Sequence, residues 1–484
     1  MKTQFTVVVC CFVALMLAGC GEDYSGLNYY YGMDGLAEFP GGEKYKDYAE
    51  NPFVEVSEQP VSTFSVDADG ASYANMRRFM NLGQLPPKAS VRIEEYLNYF
   101  TYDYPEPQAG ENVALVSEVA ACPWNSEHYL LRLGVKGKTV PLSELPNSNY
   151  VFLIDVSGSM DSPDKLGVLK SGFKTLTNNL RPQDRIAIVT YAGSAGVLLQ
   201  STPATEKKKI IAAIDKLSAG GSTAGAQGII TAYEIAMENF INDGNNRVIL
   251  GTDGDFNVGP SSTEELIELI EEKRESGVYL TVLGVGGGNL NDHMMEQIAN
   301  KGNGNYEYID NADQIEKVFT HEVQRFYTIA KDVKLQVTFN QQTVKNYRLI
   351  GYENRSLNED DFENDTVDAG EIGVGQTITA LYEVELLNTG LNTFAQFDLR
   401  YKKPGESSSR LVAHAITADP SSKIAVSESM RFASSVAAFG LMMKESEYKG
   451  TATKSLVLSL ATNATTYDPN GYRKEFVELV KKLK

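Results

Sequence analysis

Cysteine is scarce: four occur in 484 residues. Cys10 and Cys11 lie in an apolar N-terminal leader and Cys20 closes it, so a chain processed there keeps Cys122 alone as a thiol. That excludes an intramolecular disulfide in the mature chain and a metal centre built on thiolates. Cys122 reads as a small buried hydrophobe. Positive charge is also short. Lys and Arg number 44 against 63 Asp and Glu, a net charge of −19, and no Lys/Arg-rich stripe could track phosphates. Nucleic acid is therefore excluded as a partner, whereas the acidity would concentrate divalent cations near the surface. The apolar leader, Phe5 to Leu17, is too short to span a bilayer comfortably. With Lys2 ahead of it, it has the build of a signal peptide.

What is present is globular. Hydrophobic content of 42% and charged content of 22% suit a folded protein, and the length calls for two or three domains. After a leader over residues 1–20, residues 21–60 read as a flexible tether without apolar period, with Tyr29, Tyr30 and Tyr31 as exposed aromatics. Residues 61–110 read as a helical segment. Tyr73, Met76, Phe79 and Met80 have helical spacing, and Ile93, Leu97 and Phe100 follow the Pro86-Pro87 turn. Asp67 and Asp69 read as caps of the first helix rather than calcium ligands. The period then changes to 2: Val113, Leu115 and Val119 alternate, as do Val333, Leu335 and Val337 after the middle of the chain. Two such strands precede that middle and five follow it. Lone hairpins are marginal, so residues 111–145 plus 331–420 are expected to form one split β-sandwich. Residues 421–484 read as helical core, with apolar stripes around Phe432, Leu456 and Phe476.

Residues 146–328 alternate strand and helix, the pattern of a doubly wound parallel sheet. The expected fold class is α/β: this sheet inserted in the β-sandwich, with helical N- and C-terminal segments. The opening strand, Tyr150 to Ile154, is unbroken apolar sequence and suits burial on both faces. It runs into Asp155-Val156-Ser157-Gly158-Ser159. The fourth strand ends in Thr252-Asp253-Gly254. With strand order 3-2-1-4-5-6, strands one and four are neighbours and ligands bind beyond their carboxyl ends. Asp155 and Asp253 should therefore face each other across a surface crevice. Gly284 to Asn289 fails the full dinucleotide pattern and reads as a turn.

Asp155, Ser157 and Ser159 alternate along the exit loop, so one carboxylate and two hydroxyls can converge without nitrogen or sulfur. That hard-oxygen set suits Mg²⁺ or Mn²⁺. Gly220-Gly221-Ser222-Thr223 adds a hydroxyl-bearing loop before a helix. The three stretches together resemble the metal-ion-dependent adhesion site of von Willebrand factor type A (VWA) domains. The resemblance implies one divalent cation surrounded by Asp155, Ser157, Ser159, Thr223 and Asp253, with a position open to a carboxylate from a partner protein. Ala224 stands where relatives often carry Asn, a departure behind the ligands.

The flanks resemble bacterial VWA-domain lipoproteins, in Leu85-Pro86-Pro87-Lys88, in Cys122-Pro123-Trp124-Asn125 and in Arg431 to Gly440. Leu17-Ala18-Gly19-Cys20 resembles the bacterial lipobox, which implies a lipid on Cys20 and anchorage in the cell envelope. Asp does not directly follow Cys20, so the outer membrane is expected, on its periplasmic or surface side. The expected function is a membrane-anchored, cation-dependent protein-binding module and not an enzyme. Two alternatives remain at this level: a metal-dependent hydrolase, and a structural envelope protein with a vestigial site. Against the hydrolase, the three site stretches contain no His or Glu to serve as base, and Asp255 is the spare carboxylate nearby.

Overall fold

A computed structural model describes residues 42–221, 225–254, 263–387, 392–417 and 425–483, with the backbone of two short strands ahead of them. Those two, β1 (Tyr30–Tyr31) and β2 (Leu36–Glu38), pair with β3 (Lys44–Lys46). Next come β4 (Val54–Glu55), β5 (Val61–Ser65), α1 (Ala71–Asn81), α2 (Ile93–Asn98), β6 (Val113–Ala121) and β7 (Tyr129–Gly137). The central unit is β8 (Ser148–Asp155), α3 (Leu166–Asn179), β9 (Arg185–Ala192), β10 (Ser194–Pro203), α4 (Lys207–Asp215), α5 (Gly225–Glu238), β11 (Asn245–Thr252), α6 (Thr263–Arg274), β12 (Tyr279–Val285), α7 (Asp292–Lys301), β13 (Tyr306–Ile309) and α8 (Ala312–Glu316). Then follow β14 (Thr328–Phe339), β15 (Val344–Ile350), β16 (Ser356–Leu357), β17 (Gly370–Gly373), β18 (Thr377–Leu386), β19 (Thr393–Lys402) and β20 (Arg410–Thr417). Three helices close the chain: α9 (Glu428–Met443), α10 (Lys454–Thr462) and α11 (Tyr472–Lys481).

The central sheet has the order β10-β9-β8-β11-β12-β13, which is 3-2-1-4-5-6 in its own numbering. All neighbours are parallel except β10, which runs antiparallel to β9 at the edge. Every residue of β8 and β11 is buried, as strands covered by helices on both faces require. Val151 and Leu153 face the core shared with α5, α6 and α7, while Tyr150, Phe152 and Ile154 face that of α3 and α4. The last stripe of this unit, Ile315 to Phe326, is apolar as read, but not one helix. It breaks into α8, a π turn over Lys317–His321 and a 3-10 turn, with the Lys317 ammonium buried against Glu322.

Two antiparallel sheets flank this unit, β16-β5-β14-β19-β20 with β17 on β14, and β4-β15-β18-β7-β6. Their facing side chains form one core. The split sandwich thus forms, but it holds more strands than the sequence period shows. β4 and β5 come from stretches read as tether and helical segment. Tyr45 and Val56 are fully buried there, so residues 42–60 belong to the folded body. Strands of two to five residues pair with partners far along the chain and leave no period of their own. The helices before and after the sandwich form one layer rather than two, with Tyr73, Tyr96 and Phe100 packed on Phe432, Phe439 and Phe476. No described helix is long and apolar enough to cross a membrane. The leader, Cys20 and Tyr29 lie outside the described residues.

Asp67 and Asp69 do not cap α1, whose N-cap is Gly70 without a side-chain bond. Asp67 pairs with Arg355, and Asp69 accepts the Tyr306 N–H at 3.0 Å, so both carboxylates join α1 to other parts of the molecule.

One buried acid in this layer sets a pH dependence. Neither carboxylate oxygen of Glu94 on α2 makes a well-formed hydrogen bond. Burial, with the charges of Glu353 and Asp67 behind it, pushes its carboxyl from 4.5 up to about 8. Between those values the folded state keeps a proton that the unfolded chain releases. Its contribution is full below pH 4.5 and is lost as pH rises to about 8. Glu94→Gln is neutral throughout. It is expected to melt above wild type at pH 8.5 and level with it at pH 4.5. Equal offsets at both values, followed by calorimetry, would reject this reading.

Candidate metal centre

Parallel pairing of β8 and β11 sets Ile154 beside Gly251, so the next residues of both strands leave the sheet together. Asp155 ends β8 and Asp253 follows β11, and both are fully buried. Asp155 Oδ1 accepts the Ser157 N–H at 2.9 Å. Its Oδ2 accepts the Thr252 hydroxyl at 3.1 Å and the Tyr191 hydroxyl at 3.2 Å. Burial pushes the Asp155 carboxyl above its usual range, opposed by bonds from Ser157 and augmented by the Asp253 charge.

Ser157 and Ser159 point their hydroxyls together, Oγ to Oγ at 3.0 Å, with Ser159 partly exposed and Ser157 buried. The Gly220–Gly221 loop is stapled to this turn: Gly220 N–H donates to Val156 O at 2.7 Å and Gly158 N–H to Gly221 O at 3.0 Å. Thr223, Ala224 and Asp255 lie outside the described residues. Of the five expected ligands, the structure therefore gathers Asp155, Ser157, Ser159 and Asp253. The carboxylates lie deeper than a surface crevice implies, with the partly exposed Ser159 marking the mouth.

The donor set fits a hard cation. The groups able to ligate are two carboxylates and two hydroxyls, all oxygens, the chemistry of Mg²⁺ or Mn²⁺. Among the described residues no group of three or more His, Cys, Asp or Glu could hold a metal ion. An ion here would rest on two carboxylates, hydroxyls and water.

The sequence reading gave no site role to five residues that the structure places here: Thr252, Tyr191, Lys165, Asn289 and Gly254. Thr252 and Tyr191 hold Asp155, as given above. Lys165 Nζ lies 3.0 Å from Asp253 Oδ2 and donates to Asn289 Oδ1 at 2.8 Å. Of the Gly284–Asn289 stretch read as a turn, Gly284 and Val285 close β12 and residues 286–289 make the turn, which also seats this ammonium. Gly254 has φ +87°, and a Cβ there would fall 2.5 Å from the backbone nitrogen of Asn291. Only Gly lets the Asp253 turn meet the start of α7. A lysine in the polar stretch Asp161 to Lys165 carries no periodic or motif signal, so nothing in the sequence singles it out.

Residues 149–321 match the von Willebrand factor type A domain family, and residues 40–132 match a family described as von Willebrand factor. Residues 324–393 and 388–484 match the family described as the C-terminal part of the uncharacterized protein YfbK. Uncharacterized protein YfbK of Escherichia coli K12 is 42% identical over 468 residues, covering 91% of this chain and 81% of that protein. A UPF0353 protein of Mycolicibacterium vanbaalenii is 26% identical, over 35% of this chain and 58% of its own length. Among solved structures, a von Willebrand factor type A protein from Catenulispora acidiphila is 17% identical with a TM-score of 0.46, covering 78% of this chain and 91% of its own.

Proposed function

This chain is a VWA-domain protein of the YfbK family, and from that premise we propose that it is a divalent-cation-dependent protein-binding module of the bacterial envelope. VWA domains are generally protein-binding modules. The finer reading rests on one observation: Asp155 and Asp253 leave adjacent strands, and the paired Ser157 and Ser159 hydroxyls stand in the turn that follows Asp155. Mg²⁺ or Mn²⁺ would be held by Asp155, Ser157, Ser159 and Asp253, with Thr223 as the fifth ligand from its loop. The cation supplies a Lewis-acidic point that an incoming carboxylate can bind with strict geometry.

The chain's own residues prepare that point. Thr252 and Tyr191 fix the rotamer of Asp155, and the Gly220 staple fixes the turn bearing Ser157 and Ser159. A protein partner presenting Asp or Glu fits the site better than a substrate to be cleaved. Hydrolysis needs a base, and the three site stretches supply no His or Glu.

Thermal unfolding in Mg²⁺ or Mn²⁺ against chelator tests the reading. Metal at about 100 times its dissociation constant should add about 2.7 kcal/mol. No shift at any concentration, in wild type and in Lys165→Met alike, would sink it in favour of a structural envelope protein with a vestigial site.

The Leu17-Ala18-Gly19-Cys20 stretch, which resembles a lipobox, supports a lipid anchor, and the lack of Asp directly after Cys20 favours the outer membrane. Cys20→Ala is expected to move the protein from the membrane pellet to the soluble fraction. Continued partition into detergent would reject the anchor.

A further inference from the structure

Lys165 is a cation already inside the proposed cation site. Its side chain is 9% exposed and that of Asp253 is not exposed at all, so the pair is shielded from solvent. Two features build it in. Lys165 is the N-cap residue of α3, so its backbone is set at the start of that helix, in the segment that follows the turn bearing Ser157 and Ser159. Its stem then runs across Gly286, where φ is +69° and a Cβ would sit 2.5 Å from Lys165 Cγ. Asn289 Oδ1 takes a second ammonium proton, which gives the charge a resting place independent of Asp253.

We propose that Lys165 is an internal counter-ion that competes with the divalent cation for Asp253 and is then retained beside the loaded site on Asn289. The proposal deepens the metal-site reading and rests on it. A dication brought to Asp155 and Asp253 meets a positive charge in direct contact with one of its ligands. Like charges at this range oppose each other strongly in a buried site. Binding therefore requires the ammonium to give up Asp253 Oδ2 and keep Asn289. Two consequences follow. Affinity for the metal alone is low, and the loaded site, with both cations against two carboxylates, carries net positive charge. A site charged that way favours an anionic ligand, so the partner group it selects is Asp or Glu and not a neutral amide or hydroxyl.

Calorimetric titration of the purified chain with MgCl₂ separates the outcomes. Lys165→Met keeps the stem and removes the charge; it should bind Mg²⁺ at least tenfold tighter than wild type, about 1.4 kcal/mol. It should also melt lower than wild type in chelator, because Asp253 loses its cation. Lys165→Gln serves as the second neutral variant, with the same sign. Asn289→Ala removes the resting place and should bind Mg²⁺ weaker than wild type. Opposite signs for the two positions are what a purely structural role would not give. Wild-type binding with no tightening in either neutral variant overturns the counter-ion and leaves the metal site standing. Silent wild type with binding in Lys165→Met supports it. Silence in all four chains overturns both readings.

Discussion

Asp155→Ala is expected to abolish the thermal response to Mg²⁺ and Mn²⁺ altogether. In wild type that response should approach about 2.7 kcal/mol at 100 times the dissociation constant. Asp155 is one of two carboxylates in the donor set, and the hydroxyls of Ser157 and Ser159 alone cannot neutralise a dication. The metal-free chain should change less. The Thr252 hydroxyl loses its acceptor and the Tyr191 hydroxyl one of its partners, at a cost of about 1–3 kcal/mol for a buried bond lost. Against that, a carboxylate held above its usual range by burial, beside the Asp253 charge, is removed.

Asp155→Asn separates these effects, since its amide oxygen can still accept from the neighbours while the ligand charge is gone. The Asn variant should match wild-type stability more closely in chelator and show no metal response. Capture of the protein partner should fail in both variants, and in wild type without metal. A wild-type metal shift in Asp155→Asn, read by calorimetry, would remove Asp155 from the ligand set.

The legible parts of this molecule are those whose physics is local. A strand buried on both faces must be apolar throughout, so β8 and β11 stand out as Tyr150 to Ile154 and Val248 to Leu250. The alternation of strand and helix then fixes the sheet order, and the order brings Asp155 to Asp253. Strict alternation likewise exposed β6, β7 and the long strands after the insertion. What stayed hidden depends on distant partners. β4 has two residues and exists because β15 pairs with it. Asp67 and Asp69 look like caps because helix caps use the same residue types. Their actual partners, Arg355 and the Tyr306 N–H, lie more than 230 positions away. Lys165 reaches Asp253 across 88 positions through a side chain whose direction no spacing encodes.

Arg355→Met is expected to destabilise the folded chain by about 3–5 kcal/mol, the cost of stripping the partner from buried charges. Arg355 lies between β15 and β16 in the sandwich. Its guanidinium reaches Asp67 Oδ2 at 2.9 Å, just ahead of α1, and Glu296 Oε1 at 2.7 Å on α7 of the VWA unit. All three side chains are at most 5% exposed. Asp69 adds a further carboxyl, held well above its usual range by burial and by the Asp67 charge. One cation thus serves acids from two segments, and its own sandwich segment makes the third part of the junction. Met fills the volume but leaves Asp67, Asp69 and Glu296 to protonate or repel. The damage should localise: α7 begins beside Gly254 and the metal site, so faster amide exchange in α7 is expected before the sandwich core changes. Asp67→Asn should cost less in the Arg355→Met background than in wild type, with a coupling above about 1 kcal/mol in urea unfolding. Additive losses, or a single-variant loss under about 1 kcal/mol, would show that the VWA unit is held to the sandwich by its apolar contacts and that this ion cluster sets only their register.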